Sequence, residues 1–361
     1  MLTRVGARGV AFRGTVWPGG AAPEYAGVVI VDGAGAVAAM GPTLTVPEDL
    51  PVLGGDGCWV GPGLVDAHVH LAFGGPELAW QGGVVAVRDL GAPPAQALAW
   101  RTGERPPAGS ARVAICGPVI TAPGGYPSRS WGSDGFAAFA TDSAEAAGLV
   151  ARLAADGVDL VKVALEPAGG APVPTPEVLA AVVHAAHQRG LAVTAHALTV
   201  DMVRRAVEAG VDELAHTPVE TLPDGLIERI AGAGIAVIST LQCLSGAGAG
   251  AACNAAALHR AGVTLRYGTD LGNAGTRTGA EPRELQRLAD AGLGGLGALR
   301  AATEGSAAAP GMRAGTGRLA VGQPAALVLL GADPLRELQA WRAPLAVCAD
   351  GQLLTSAPLA P

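Results

Sequence analysis

Six side chains of this sequence have the types and placement of a divalent-metal site. His68 and His70 lie two apart at the end of an apolar run, 62–70 (PGLVDAHVH). That spacing turns both imidazoles to one face of an extended strand. Two such nitrogens at the mouth of a strand are half of a metal site. Lys162, His196, His216 and Asp270 follow, each within or ending a short run rich in Val, Leu or Ala: 160–165, 192–197, 213–217 and 265–270. Each has a plain alternative when taken alone: a core histidine, a structural or substrate-facing lysine, a turn aspartate. What favours the metal reading is recurrence, since four of the seven histidines end β-like runs. The other three, His184, His187 and His259, fall in predicted helices and read as solvated surface residues.

These residues need a scaffold that brings strand ends together. Eight short apolar runs, 64–70, 84–90, 113–116, 160–165, 192–197, 213–217, 236–241 and 265–270, read as buried strands bounded by Gly, Pro or polar residues. Ala-rich helical stretches lie between them, among them 143–156, 176–189, 200–209 and 222–233. Thr175 before Pro176 is a helix start signal, and Gly157, Gly190, Gly210 and Gly234 suit left-handed helix ends. Eight strands alternating with helices over about 250 residues predict a (β/α)8 TIM barrel, whose active sites form at the carboxyl ends of the strands. All six residues are expected on that face.

The flanks differ. Residues 27–31 and 36–40 read as short strands, 325–330 as another, and 344–354 as a hairpin turning at Asp350-Gly351. The N- and C-terminal flanks are expected to pair in a small β-sandwich. The predicted organisation is a small domain of residues 1–60 and 313–361 around a catalytic barrel of residues 61–312.

Composition limits the function classes. The chain has 361 residues, a hydrophobic fraction of 50% and 15% charged residues, which supports a large core and excludes disorder. A net charge of −7 without a basic cluster argues against nucleic acid as a partner. No apolar run reaches the ~18 residues of a membrane span, and no leader segment is read at the start. Five scattered cysteines, Cys58, Cys116, Cys243, Cys253 and Cys348, show no zinc or redox spacing and read as reduced thiols of a cytoplasmic protein.

With 62–70, Lys162, His196, His216 and 268–270 (GTD) in place, the chain resembles the amidohydrolase superfamily of metal-dependent hydrolases. The resemblance extends to the tail, 315–319 (GTGRL) and 322–328 (GQPAALV). The wording of 87–91 (VRDLG) is similar to the branch holding imidazolonepropionase-like enzymes and Xaa-Pro or arginine/lysine dipeptidases. The resemblance implies two metal ions, zinc (Zn2+) first, with Mn, Fe or Co also suited. One ion would be held by His68, His70, Asp270 and a carboxylated Lys162, the other by His196, His216 and the same carbamate. It further implies hydrolysis of an amide, cyclic amide or dipeptide by a metal-activated hydroxide, with Asp270 as proton carrier and His216 beside it. Deamination, decarboxylation or a biosynthetic cyclisation on the same scaffold, with one ion, is the alternative. A non-enzymatic relative would ordinarily lack these ligands.

For a small-molecule substrate, the 117–132 loop (GPVITAPGGYPSRSWG) offers Tyr126, Arg129 and Trp131, and the 271–279 loop offers Arg277. A long loop on the catalytic face is a lid or a binding loop, or else a packed surface loop. Tyr126 stands where relatives often show a histidine after Gly-Gly. Arg88 and Asp89 read as an internal ion pair, 242–252 as small and featureless, and a homo-oligomer is compatible with the fold.

Overall fold

The computed structural model describes residues 1–101, 106–273, 275–312 and 316–356. The N-terminal flank forms β1 (Leu2–Arg4), β2 (Val10–Val16), β3 (Tyr25–Val31), β4 (Val37–Gly41) and β5 (Val52–Pro62). Ten further strands alternate with helices: β6 (Leu64–Val69), α1 (Pro76–Gln81), β7 (Val84–Asp89), α2 (Pro94–Trp100), β8 (Arg112–Ile115), β9 (Val119–Thr121) and β10 (Ala137–Phe139). Then come α3 (Ser143–Asp156), β11 (Val161–Leu165), α4 (Pro176–His187), β12 (Val193–Ala197), α5 (Val200–Ala209), β13 (Glu213–Leu214) and α6 (Asp224–Gly232). The series ends with β14 (Ala236–Ile238), α7 (Gly250–Arg260), β15 (Leu265–Arg266), α8 (Pro282–Leu288) and α9 (Gly294–Arg300). The C-terminal flank adds β16 (Ala326–Leu330), β17 (Ala346–Ala349) and β18 (Gln352–Thr355).

All eight predicted runs contain parallel strands, in two sheets ordered β6-β7-β8 and β10-β9-β11-β12-β13-β14-β15. The loop after β8 holds two strands the sequence reading left as loop. β9 pairs with β11 at Ile120 and Val163, so it fills the step between β8 and β11. On the other side, the segment after β15 bonds back to β6: Ala67 N–H donates to Tyr267 O at 3.0 Å, and Asp270 N–H to His68 O at 2.8 Å. The helix signals hold as local chemistry. Thr175 Oγ1 accepts from Val178 N–H at the start of α4, and Gly157 ends α3 at φ 87°. Capping of this kind stabilises a helix by ~1 kcal/mol.

The flanks join in one continuous sheet, β1-β18-β17-β16-β5-β2-β3-β4. It curls so that Phe12, Val29, Leu327, Cys348 and Leu353 share a single core. Asp350 and Gly351 take φ 52° and 75° between β17 and β18, the left-handed pair that a two-residue hairpin turn requires. Trp59 packs against Trp17 and Trp341, each at 6.0 Å between ring centres. All five cysteines are free thiols. Among the described residues no helix is long and apolar enough to cross a membrane.

Arg88 and Asp89 do not pair with each other. Neighbours along a strand face opposite ways. Arg88 points inward to an ion pair with Glu213 and donates to Ala67 O at 2.9 Å. Asp89 accepts from Leu71 N–H at 2.7 Å and Gly91 N–H at 3.2 Å, fixing the chain just past His70.

Candidate active site

His68 leaves β6 with its Nδ1 2.9 Å from Ala215 O. A carbonyl only accepts, so Nδ1 carries the proton and the Nε2 lone pair faces inward. His70 repeats this more loosely, its Nδ1 3.4 Å from Gly91 O. Asp270 lies beyond the end of β15 rather than within the strand. Its backbone takes φ 52°, a left-handed conformation costly for a residue with a Cβ.

Asp66 holds that conformation in place. Its carboxylate accepts from His68 N–H at 3.0 Å, Thr269 N–H at 3.1 Å and Thr269 Oγ1–H at 2.6 Å, which locks β6 to the segment before Asp270. The approach requires Gly268, where a Cβ would stand 2.3 Å from Ile238 Cγ2 and 3.0 Å from His68 Cβ.

The result is a convergence of His68, His70 and Asp270, whose ligand atoms all lie within 4.8 Å of one another. His68 Nε2 and Asp270 Oδ1 are 3.2 Å apart, and His70 Nε2 is 3.4 Å from the same oxygen. His68 Nε2 and Asp270 Oδ1 are buried without a hydrogen-bond partner among the described residues. Two lone-pair donors held face to face in a buried site fit a cation, which would satisfy both. Burial pushes His68 and His216 well below the ordinary imidazole value, so both are neutral.

His196 and His216 lie beside this group, with the His216 ring 4.7 Å from that of His68. His196 Nε2–H donates to Glu166 at 3.0 Å, leaving Nδ1 inward. His216 Nδ1 meets Thr240 Oγ1 at 3.0 Å, leaving Nε2 inward. The two inward nitrogens are 3.0 Å apart. His216 stands just past β13, which ends at Leu214. Lys162 is the second residue of β11, near its start and not near the carboxyl end. Its long side chain is buried, and no carboxylate of the described residues pairs with it. Burial pushes its amine down to about 8.

The substrate-binding candidates divide. Tyr126 stacks on His196 at 5.0 Å and Trp131 on His70 at 4.7 Å, with Trp131 Nε1–H donating to Tyr126 Oη at 2.8 Å. Arg129 is exposed and lies against Gly124. Arg277 turns outward, its Nη2 3.4 Å from Arg342 O in the C-terminal flank. Three further residues at the site escaped the sequence reading. Glu166, one residue past β11, could have been found from its place at a strand end. Thr240 has φ 43° and carries no sequence signal. Cys243, in the stretch read as featureless, has its Sγ 3.3 Å from Asp270 Oδ2.

Known proteins share this fold. Solved structures superpose over nearly the whole chain. A prolidase candidate from Bifidobacterium longum is 27% identical, with a TM-score of 0.80 over 98% of this chain and 96% of that one. A Xaa-Pro dipeptidase with bound methionine has a TM-score of 0.82 over 96% of this chain and 100% of that one, and at 18% identity the likeness is of fold. A curated relative, a deacetylase of Brucella anthropi, is 37% identical over 51 residues, a match that spans 14% of this chain and 13% of the relative. The sequence pattern of the amidohydrolase family matches residues 59–354. The chain therefore belongs to the amidohydrolase family, as a hydrolytic enzyme acting on carbon–nitrogen bonds.

Proposed function

We propose that this protein hydrolyses the C–N bond of a small-molecule amide, cyclic amide or dipeptide, with two divalent ions held at one rim of a (β/α)8 barrel. The observation that supports it is the orientation of the four histidines. Each sets one ring nitrogen against an outer partner and turns the other inward, and the carbonyl and carboxylate partners of His68, His70 and His196 fix the tautomer of those three before metal arrives. His68, His70 and Asp270 would hold one ion, His196 and His216 the other, and Lys162 as a carbamate would serve both. Zinc suits imidazole and carboxylate donors, and Mn, Fe or Co would also fit. Bound metal supplies Lewis acidity and an acidified water at neutral pH.

The protein's own residues complete the chemistry. Ionised Asp270 accepts a proton from the attacking water and passes it to the departing nitrogen. The water oxygen bonds to the carbonyl carbon, the C–N bond breaks, and the products are a carboxylic acid and an amine. His216 Nδ1 stands 3.8 Å from Asp270 Oδ2, beyond hydrogen-bond reach, so His216 adjoins that carboxylate without donating to it. The lowered pKa of Lys162 makes the neutral amine accessible, which is the form that adds CO2 and releases a proton.

A one-ion enzyme performing deamination, decarboxylation or cyclisation is the second reading. It is favoured by the His196–His216 hydrogen bond, which occupies both nitrogens a second ion would need. Metal analysis after expression with and without bicarbonate separates the two. Two equivalents, falling to one or none in Lys162→Ala, support the bridged pair. One equivalent that neither bicarbonate nor Lys162→Ala changes refutes it. Asp270→Asn is expected to cut kcat by about 10²–10⁴-fold; a near-native rate would remove Asp270 from the chemistry.

A further inference from the structure

The chain is poor in aromatic residues, at 4%. Four of these rings nevertheless gather against the site. Trp131 lies 6.0 Å from Phe73 and 5.4 Å from Phe136, in addition to its contact with His70. Tyr126 lies 6.1 Å from Trp131 and bridges to His196. None of the four is fully buried, and Phe73 is 49% exposed only three residues beyond His70. The indole N–H is spent on Tyr126 Oη, so the indole offers carbon to the site rather than a donor. A contiguous, half-covered apolar wall beside convergent polar groups is the usual form of a small-molecule pocket.

The charges nearby point the same way. The two arginines that could have gripped a carboxylate are turned elsewhere, Arg129 over Gly124 and Arg277 toward Arg342.

We infer that Phe73, Tyr126, Trp131 and Phe136 form an acceptor wall for an aryl group, and that the preferred substrate is a neutral aryl amide rather than a dipeptide with a free carboxylate. This rests on the hydrolase reading above and narrows its substrate class. The rings hold the aryl group by edge and face contacts while its amide group lies beside the His68, His70 and Asp270 cluster. Aryl contact of this kind is energetically specific beyond the area buried.

The test uses the metal-loaded full chain with acetanilide, N-methylbenzamide, N-methylacetamide and glycyl-proline as substrates, and benzamide as a binding probe followed by calorimetry. Aryl amides are expected to exceed both N-methylacetamide and glycyl-proline at least tenfold in kcat/KM. Phe73→Ala and Trp131→Ala should each reduce the aryl-to-alkyl selectivity about tenfold, chiefly through KM, and Trp131→Phe should restore most of it. Phe73 is half exposed, so its variant is informative even where Trp131→Ala fails to fold. Hydrolysis with equal or greater activity on glycyl-proline overturns the aryl wall and leaves the hydrolase reading standing. No hydrolysis of any amide, with benzamide binding weakened in both variants, overturns the hydrolase reading and leaves the wall. Benzamide binding that neither variant changes overturns the wall directly.

Discussion

Glu166 is the sharpest place to perturb the site without touching a ligand atom. Its carboxylate accepts the Nε2–H of His196 at 3.0 Å, and its side chain is only 13% exposed. That bond itself holds the Glu166 carboxyl below its usual value. Glu166→Gln keeps an acceptor oxygen but removes the charge. A hydrogen bond to a charged group contributes ~1.5–3 kcal/mol and a neutral one ~0.5–1.5, so the change should cost about 1 kcal/mol or slightly more. That loss falls on the ligand strength and orientation of His196. It corresponds to about tenfold weaker metal binding, the lower end of what partners of ligating histidines contribute. The assay is competition for Zn2+ against a calibrated chelator at pH 7.5. The higher-affinity step should be unaffected if it belongs to His68, His70 and Asp270, and the weaker step should shift. In a His196→Ala background the Glu166→Gln effect should disappear, since the pair acts as a unit. Equal affinity for both steps in wild type and Glu166→Gln, or an undiminished effect without His196, would refute the reasoning.

Two stability predictions follow from buried charge. Arg88→Ala strands Glu213, which is fully buried and is otherwise met by Arg266 at 2.9 Å and Thr194 Oγ1 at 3.0 Å. Thermal and urea denaturation should show a loss of about 3–5 kcal/mol; a loss below ~1 kcal/mol would mean that Arg266 compensates fully. Burial pushes Glu284 up to about 7 from an ordinary 4.5, despite donors from Leu241 N–H and Gln242 N–H. The folded state therefore binds the extra proton, and this contribution to stability is present at low pH and lost as pH rises from 4.5 to 7. The difference in urea stability between wild type and Glu284→Gln, measured without metal, should fall across that window by ~3 kcal/mol. A difference that is flat, or that rises, would contradict it.

The site was legible where its chemistry is local. The His68/His70 pair, and the strand-end positions of His196 and His216, follow from alternation and breaker residues within a few positions of each other. The helix over 143–156 and the Asp350-Gly351 turn are likewise written in nearby residues, and the structure has both. Lys162 shows the limit of the method. The run 160–165 marks a strand, but only the paired sheet shows that the lysine sits near its start, level with Thr194 and two residues before the position level with His196. Cys243 and Thr240 meet Asp270 and His216 across 27 and 24 residues of sequence, and no periodicity relates such positions. Arg277 is a further case: it reads as a possible substrate anchor in a catalytic-face loop, and the structure sets its guanidinium against Arg342 O, 65 residues away.

By itself the sequence determined the alternation of strands and helices and the identity of the residues with ligand chemistry. Hydrophobic periodicity and the donor types of His, Asp and Lys are properties of short segments, and they survive without knowledge of the fold. Only the tertiary structure decided which imidazole nitrogen faces inward, that Asp270 turns into the site from a left-handed backbone held by Asp66 and Thr269, and that a wall of rings covers the histidines. Those features depend on hydrogen bonds and contacts between segments up to 203 residues apart, which exist only after the sheets have brought their ends together.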